Sequence, residues 1–310
     1  GAATDHRYLD TGHTLDFLNK AFEALDHVGW THAERVLPSL VTSLTDADRA
    51  EESAEWRQPT DLAALLDDAF DALPTEANGE WSEPDDLLET VLSDDPEAIV
   101  DALVDAARAG ATPTDLAGVV RDAAATRVLQ FSTGNEFSDW NTVHHTFTYA
   151  NAVYFATRRT DAWELYRGVL DAAANVYLDR FLNTPPAPIP EGDASADPET
   201  ALDDLVETFE TEGEVSQAGE RAADFLAAGG DPARLRGRLG HALVREDAGF
   251  HTFQNVEAAF RGADTAGERA HRYLVGTARY LAAHTPTRRE REQTFHIADR
   301  LHRGEKIHEA

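Results

Sequence analysis

The sequence predicts an all-α fold, and three observations carry that prediction. Apolar residues recur three and four positions apart, in Leu62, Leu65, Leu66, Ala69, Phe70 and Leu73 and again in Ile99, Leu103, Val104 and Ala107, which lines them up on one face of a helix. Alternation of apolar and polar residues bounded by turns, the mark of a strand, is nowhere sustained. Start and stop signals fall between the periodic runs: Asp94-Asp95-Pro96 opens one helix, Gly110 closes it, and Thr112-Pro113 opens the next with proline at the first helical position.

The segment from Pro185 to Pro198 holds Pro185-Pro186-Ala187-Pro188-Ile189-Pro190 followed by Gly192-Asp193-Ala194-Ser195, and reads as a linker or loop. A second loop runs from Pro74 to Pro84 around Asn78-Gly79. The expected organisation is a helical region over 1–184, a proline-rich segment over 185–198 and a second helical region over 199–310, packed as one globule.

Charge narrows the function classes. There are 57 Asp and Glu against 27 Lys and Arg, a net charge of −30, and Lys20 and Lys306 are the only lysines. At ordinary ionic strength such a surface repels itself over a Debye length of roughly 8 Å, which shrinks to about 3 Å in molar salt. The composition is that of a salt-adapted, halophilic protein. It argues against a nucleic-acid partner and an anionic membrane surface, because both need clustered cations. Without cysteine the chain can form no disulfide, thiolate metal site or iron–sulfur cluster of its own. No apolar run approaches the roughly 18 residues of a membrane span and the first residues do not form a signal peptide, so a cytoplasmic location is expected.

Internal repetition is the most informative feature. His-Thr-Leu/Phe occurs as His13-Thr14-Leu15, His145-Thr146-Phe147 and His251-Thr252-Phe253, each expected to open a helix. A second apolar helix is expected after each one, with Leu37, Leu170 and Leu274 lying 24, 25 and 23 residues beyond their histidines. The later two copies are also preceded by like turns, Ala109-Gly110-Ala111-Thr112-Pro113-Thr114-Asp115-Leu116 and Ala228-Gly229-Gly230-Asp231-Pro232-Ala233-Arg234-Leu235. The first copy has no such hairpin ahead of it, so the chain is expected to be the later part of a longer polypeptide.

Two readings of the repeat stand side by side. His13, His145 and His251 could converge on a transition metal, since neutral imidazole suits iron, copper, nickel and zinc. Alternatively each His-Thr pair caps a helix start, the threonine hydroxyl accepting from an orphan amide. Polar groups near two copies form candidate catalytic sets: Glu136, Asp139 and His144 ahead of His145, and His241, Glu246 and Asp247 ahead of His251. Glu268 with His271 and Glu305 with His308 have the Glu-x-x-His spacing of di-iron bundles, but lack the further ligand glutamates such sites use. The remaining histidines, at 6, 27, 32, 284, 296 and 302, read as surface or core fillers. A phosphate-binding glycine loop, a Gly-x-Ser-x-Gly elbow and a His-Glu-x-x-His helix are all missing from the sequence.

The stretches Thr11-Gly12-His13-Thr14-Leu15-Asp16-Phe17, Asn19 to Asp26, Asn135-Glu136-Phe137 with Asp139-Trp140, and His145-Thr146-Phe147-Thr148 resemble the helical part of actinobacterial and haloarchaeal proteins labelled as Rieske [2Fe–2S] domain proteins. That resemblance spans most of the chain. It implies a Rieske electron donor in cis or in trans, an electron-transfer or oxygenase role, and a metal centre in the helices; the Rieske cluster itself lies elsewhere, because its two cysteine ligands are absent here. The turn and helix from Gly110 to Val120 are also similar to helix hairpins of the carboxymuconolactone decarboxylase and AhpD group, without that group's Cys-x-x-Cys pair.

The function these readings favour is a metal-dependent oxidoreductase-type domain, with iron as the expected metal, bound by His13, His145 and His251. Two rivals remain. One is a non-catalytic helical scaffold that docks a redox partner or a second copy in a homo-oligomer. The other is a metal-free enzyme using histidine as an acid or base.

Overall fold

A computed structural model describes residues 12–45, 60–75, 80–136, 138–287 and 291–305. The fold is all-α, and no strand occurs among the described residues. The helices are α1 (His13–Val28), α2 (Ala33–Val36), α3 (Val41–Thr45), α4 (Leu62–Ala72), α5 (Leu87–Val91), α6 (Pro96–Arg108), α7 (Pro113–Leu129), α8 (Trp140–Thr157), α9 (Leu165–Asp179), α10 (Pro198–Thr208), α11 (Val215–Ala227), α12 (Pro232–Arg245), α13 (Phe250–Ala263), α14 (Ala270–Ala283) and α15 (Arg291–His302). They fall into two compact units. The first takes the described residues to 132 and from 138 to 186, the second those from 133 to 136 and from 187 onward. The expected loop at 74–84 is described only in part, because Asn78-Gly79 lies outside the described residues, as do Phe137 and His308.

In the first unit the start signals act as the sequence implies. The Asp95 carboxylate accepts from the Ala98 amide at 3.0 Å to cap α6, which buries Ile99, Leu103, Val104 and Ala107. Gly110 closes that helix at φ 111°, a left-handed conformation that spares a side chain strain. There the Ala111 amide reaches back to the Ala106 carbonyl at 2.9 Å and the Gly110 amide to that of Ala107 at 3.0 Å. Thr112 and Asp115 then form a capping box at the head of α7, each side chain accepting from the other's amide.

Helix α7 is enclosed by α5, α6, α8 and α9, and every residue from Val119 to Leu129 is buried. Two of those residues are arginines. Arg121 lays its guanidinium over the Tyr154 ring at 3.8 Å, and Arg127 donates to the carbonyls of Val176 at 3.1 Å and Leu92 at 2.8 Å. Burial lowers the pKa of Arg127 from its ordinary value, and the Asp179 carboxylate counters that effect.

Helix α1 packs along α8. Gly12 sets the contact at its head: it is buried at φ +89°, and a Cβ there would lie 2.9 Å from the Cβ of Tyr149. Asp26, near the other end of α1, accepts from Arg159 at 2.5 Å and from Trp30 at 2.9 Å, and these two partners lower its pKa.

The second unit repeats the same turn chemistry. Gly229 sits at φ 82° after α11, the Gly230 amide reaches the Phe225 carbonyl at 2.9 Å, and Asp231 caps α12 by accepting from Ala233. Helix α12 buries only Leu235, Leu239, Ala242 and Leu243. Its arginines pair outward, Arg234 with Glu199, Arg236 with Asp264 at 2.6 Å and Arg245 with Glu210 at 2.5 Å. Helices α13 and α14 pack closely at Gly262, where a Cβ would stand 2.3 Å from the Tyr273 ring.

Two expectations are corrected. His145 does not open a helix, because α8 begins at Trp140 and carries it as its sixth residue. Asp139, just ahead of that start, has helical backbone angles and no side-chain cap bond, so no capping signal marks the true beginning of α8. The helix expected after the first copy is instead a short 3-10 turn, Leu37–Leu40.

Candidate metal centre

His13 and His145 come together in the first unit. His13 is the first residue of α1, delivered there by the Gly12–Tyr149 contact, and His145 lies one turn before Tyr149 on α8. Their rings meet edge to face with centroids 4.7 Å apart and planes at 90°. One ring nitrogen of each lies within 4.8 Å of the other, and both residues are partly exposed. Two nitrogens bound to one tetrahedral metal stand roughly 3.3 Å apart. A modest side-chain rotation would therefore let this pair share an ion, with solvent access left for another ligand. Phe17 flanks the pair, its ring 5.7 Å from that of His13.

The cap reading of the His-Thr repeat finds no support in this geometry. The head of α1 has no side-chain cap bond, and neither does that of α13. Thr14 Oγ1 is enclosed without a hydrogen-bond partner, and Thr146 lies inside α8 rather than at its start.

The other candidates of the first unit are spread out. His144 is fully buried, turned by one residue of helix to a different side of α8 from His145. Asp139 sits just ahead of α8 and is half-buried, while Glu136, which groups with the second unit, is exposed.

In the second unit His251 is the second residue of α13, partly exposed, with the Phe250 ring 5.2 Å away. Its neighbour Thr252 lines a cavity of about 620 Å³ together with Glu246, Asp247, Leu281, His284 and Thr287. Glu246 is buried, but its carboxylate is occupied in tethering Thr287, accepting from that residue's amide at 2.7 Å and hydroxyl at 2.6 Å. The Asp247 amide adds a bond to the same hydroxyl at 3.0 Å. His241 is exposed on α12.

His284, read from the sequence as a surface or core filler, is buried in the core of the second unit. Its Nδ1 sits 2.6 Å from the Tyr280 carbonyl, so Nδ1 carries the proton and the lone pair is at Nε2; its ring stacks on that of Tyr280 at 4.1 Å. Burial pushes its pKa down to about 4, the Tyr280 carbonyl opposes this, and proximity of His251 adds to it. Burial likewise raises the Tyr280 phenol, with the Thr252 hydroxyl acting against it.

Compared with protein-family models, curated proteins and solved structures, the chain matches none.

Proposed function

We propose that this chain is the helical, metal-binding part of an oxidoreductase in which His13, His145 and His251 hold a transition metal. The observation that carries the reading is the edge-to-face contact of His13 and His145, which brings two imidazole nitrogens within 4.8 Å. His251 is the third ligand in this proposal because it begins the same His-Thr string and, like His145, is followed at nearly the same distance by an apolar helix, which holds Leu274 as that after His145 holds Leu170. Three imidazoles make a neutral, borderline-soft donor set suited to iron, copper, nickel or zinc, and they leave coordination positions open. The net charge of −30 adds a field that concentrates cations.

Iron is the metal proposed, and a Rieske-type module in cis or in trans is its proposed electron donor; both rest on the family resemblance. A bound iron would supply one-electron chemistry toward oxygen or a substrate. The chain's own contribution is to fix the imidazoles on rigid helices and keep one side of the pair open.

The test is elemental analysis of protein purified in molar salt without metal-affinity resin, for the unaltered chain, His145→Ala and His251→Ala. Near-stoichiometric metal in the first, lost from both variants at unchanged helix content, is the expected result. Metal retained in either variant, or none in the unaltered protein, sinks the three-histidine centre.

A further inference from the structure

The cavity of about 620 Å³ in the second unit is walled mainly by two short segments, 246–249 ahead of α13 and 283–287 at the end of α14 and beyond it. These segments are pinned to each other. The Glu246 carboxylate accepts from the Thr287 amide and hydroxyl, and the Asp247 amide donates to the Thr287 hydroxyl oxygen. Walls fixed before a ligand arrives need little ordering when it binds. The volume falls in the range of small-molecule sites, roughly 300–1,000 Å³, and is far more than one inorganic ion needs.

The lining selects for a cation that donates hydrogen bonds. Glu212 and Asp247 are exposed and give the mouth a negative field, and no lysine or arginine is among the described residues that line the cavity. His284 adds no opposing charge, since burial lowers its pKa to about 4 and keeps the ring neutral.

Two buried acceptors share one stretch of wall. Glu246 is 1% exposed; its Oε2 holds Thr287, while its Oε1 has a 3.3 Å contact with Arg245 and retains capacity, because a carboxylate accepts about four bonds. Thr285 stands two residues before Thr287, is 5% exposed, and its hydroxyl oxygen is enclosed without a hydrogen-bond partner. That is a rare state for a buried polar atom, and valine would fill the same space without it. Rotation about χ1 between staggered positions swings this oxygen, so a ligand in the cavity that Thr285 lines can meet it. Leu243 and Leu281 add an apolar wall.

We propose that this cavity binds a small primary ammonium compound. Its N–H groups donate to the Thr285 hydroxyl and the Glu246 carboxylate, its hydrocarbon part lies on Leu243 and Leu281, and Glu212 and Asp247 draw the cation to the mouth. The site uses the second unit alone and stands apart from the three-histidine reading.

The probe is butylammonium, titrated by calorimetry against the full chain in molar sodium chloride. Saturable binding is expected, with 1-butanol, which lacks the charge, and tetramethylammonium, which lacks the N–H groups, each weaker by roughly tenfold or more. Thr285→Val should weaken butylammonium to a similar degree at unchanged helix content, and Asp247→Asn by about twofold, as befits an exposed charge in salt. Absence of saturation, equal binding of 1-butanol, or unchanged affinity in folded Thr285→Val overturns the proposal. Should Thr285→Val fail to fold, Asp247→Asn decides, and unchanged affinity there refutes it. Loss of binding when potassium chloride replaces sodium chloride would mark a site for a bare cation and overturn it equally.

Discussion

Helices α7 and α12 leave nearly the same turn and end in opposite surroundings. Each follows a left-handed glycine, Gly110 or Gly229, with a backward amide bond and a side-chain cap before a proline in the first turn. Yet α7 is buried along its whole second half, with Arg121, Asp122 and Arg127 inside, whereas α12 buries four residues and turns its arginines outward. Turn chemistry fixes where a helix begins, and side-chain pattern decides how deep it goes. In α7 the runs Val119-Val120 and Ala123-Ala124-Ala125 present apolar groups on every side, while in α12 Arg234, Arg236 and Arg238 flank the apolar positions and confine them to one stripe.

The contrast can be broken from its enclosed side first. Arg127→Ala should cost about 3–5 kcal/mol in urea denaturation at molar salt, because it empties a buried site and strands the carbonyls of Leu92 and Val176. A loss under about 1 kcal/mol would show that α7 tolerates the change as a surface helix does.

A comparable effect is expected from acid on the second unit. With its pKa at about 4, below the ordinary 6.5, folded His284 binds fewer protons than the unfolded chain. Its contribution is complete above pH 6.5 and is lost as the pH falls toward 4, at a slope of up to about 1.4 kcal/mol per pH unit. His284→Gln should flatten the stability profile in that window, and identical profiles would show that burial does not hold the imidazole neutral.

Smaller is the tether at the end of α12. Glu246→Ala deprives the Thr287 amide and hydroxyl of their acceptor and should cost about 2–3 kcal/mol, measured by the same denaturation. Smallest among the stabilising groups are the caps. Thr112→Ala and Asp231→Ala should each cost about 1 kcal/mol despite the different burial of their helices, and unequal losses would mean that the turns are not equivalent. Arg234→Ala, at an exposed pair with Glu199, should leave the melting temperature in molar salt unchanged.

Much of this was legible residue by residue, and the reason is range. Asp95-Pro96, Gly110, Thr112-Pro113 and Asp231-Pro232 act on amides two to five residues away, so the sequence alone announces them. The pairing of His13 with His145 is long-range, and only the repetition of the His-Thr string made it visible. Where no repetition helps, the sequence shows less: the Thr287 partner of Glu246 lies 41 residues on, and the place of His284 at the end of α14 against Tyr280 carries no composition signal.

Gly12 carries a consequence for how such a centre could be lost or gained. The ring of His13 reaches His145 because the residue before it has no side chain to collide with Tyr149, and adopts a backbone angle that other residues resist. Inheritance of the imidazoles is therefore not sufficient for inheritance of the site. A lineage keeping all of them but acquiring alanine at position 12 would hold its first histidine displaced, and in a homologue the innocuous-looking glycine is the better marker of whether the pair still meets.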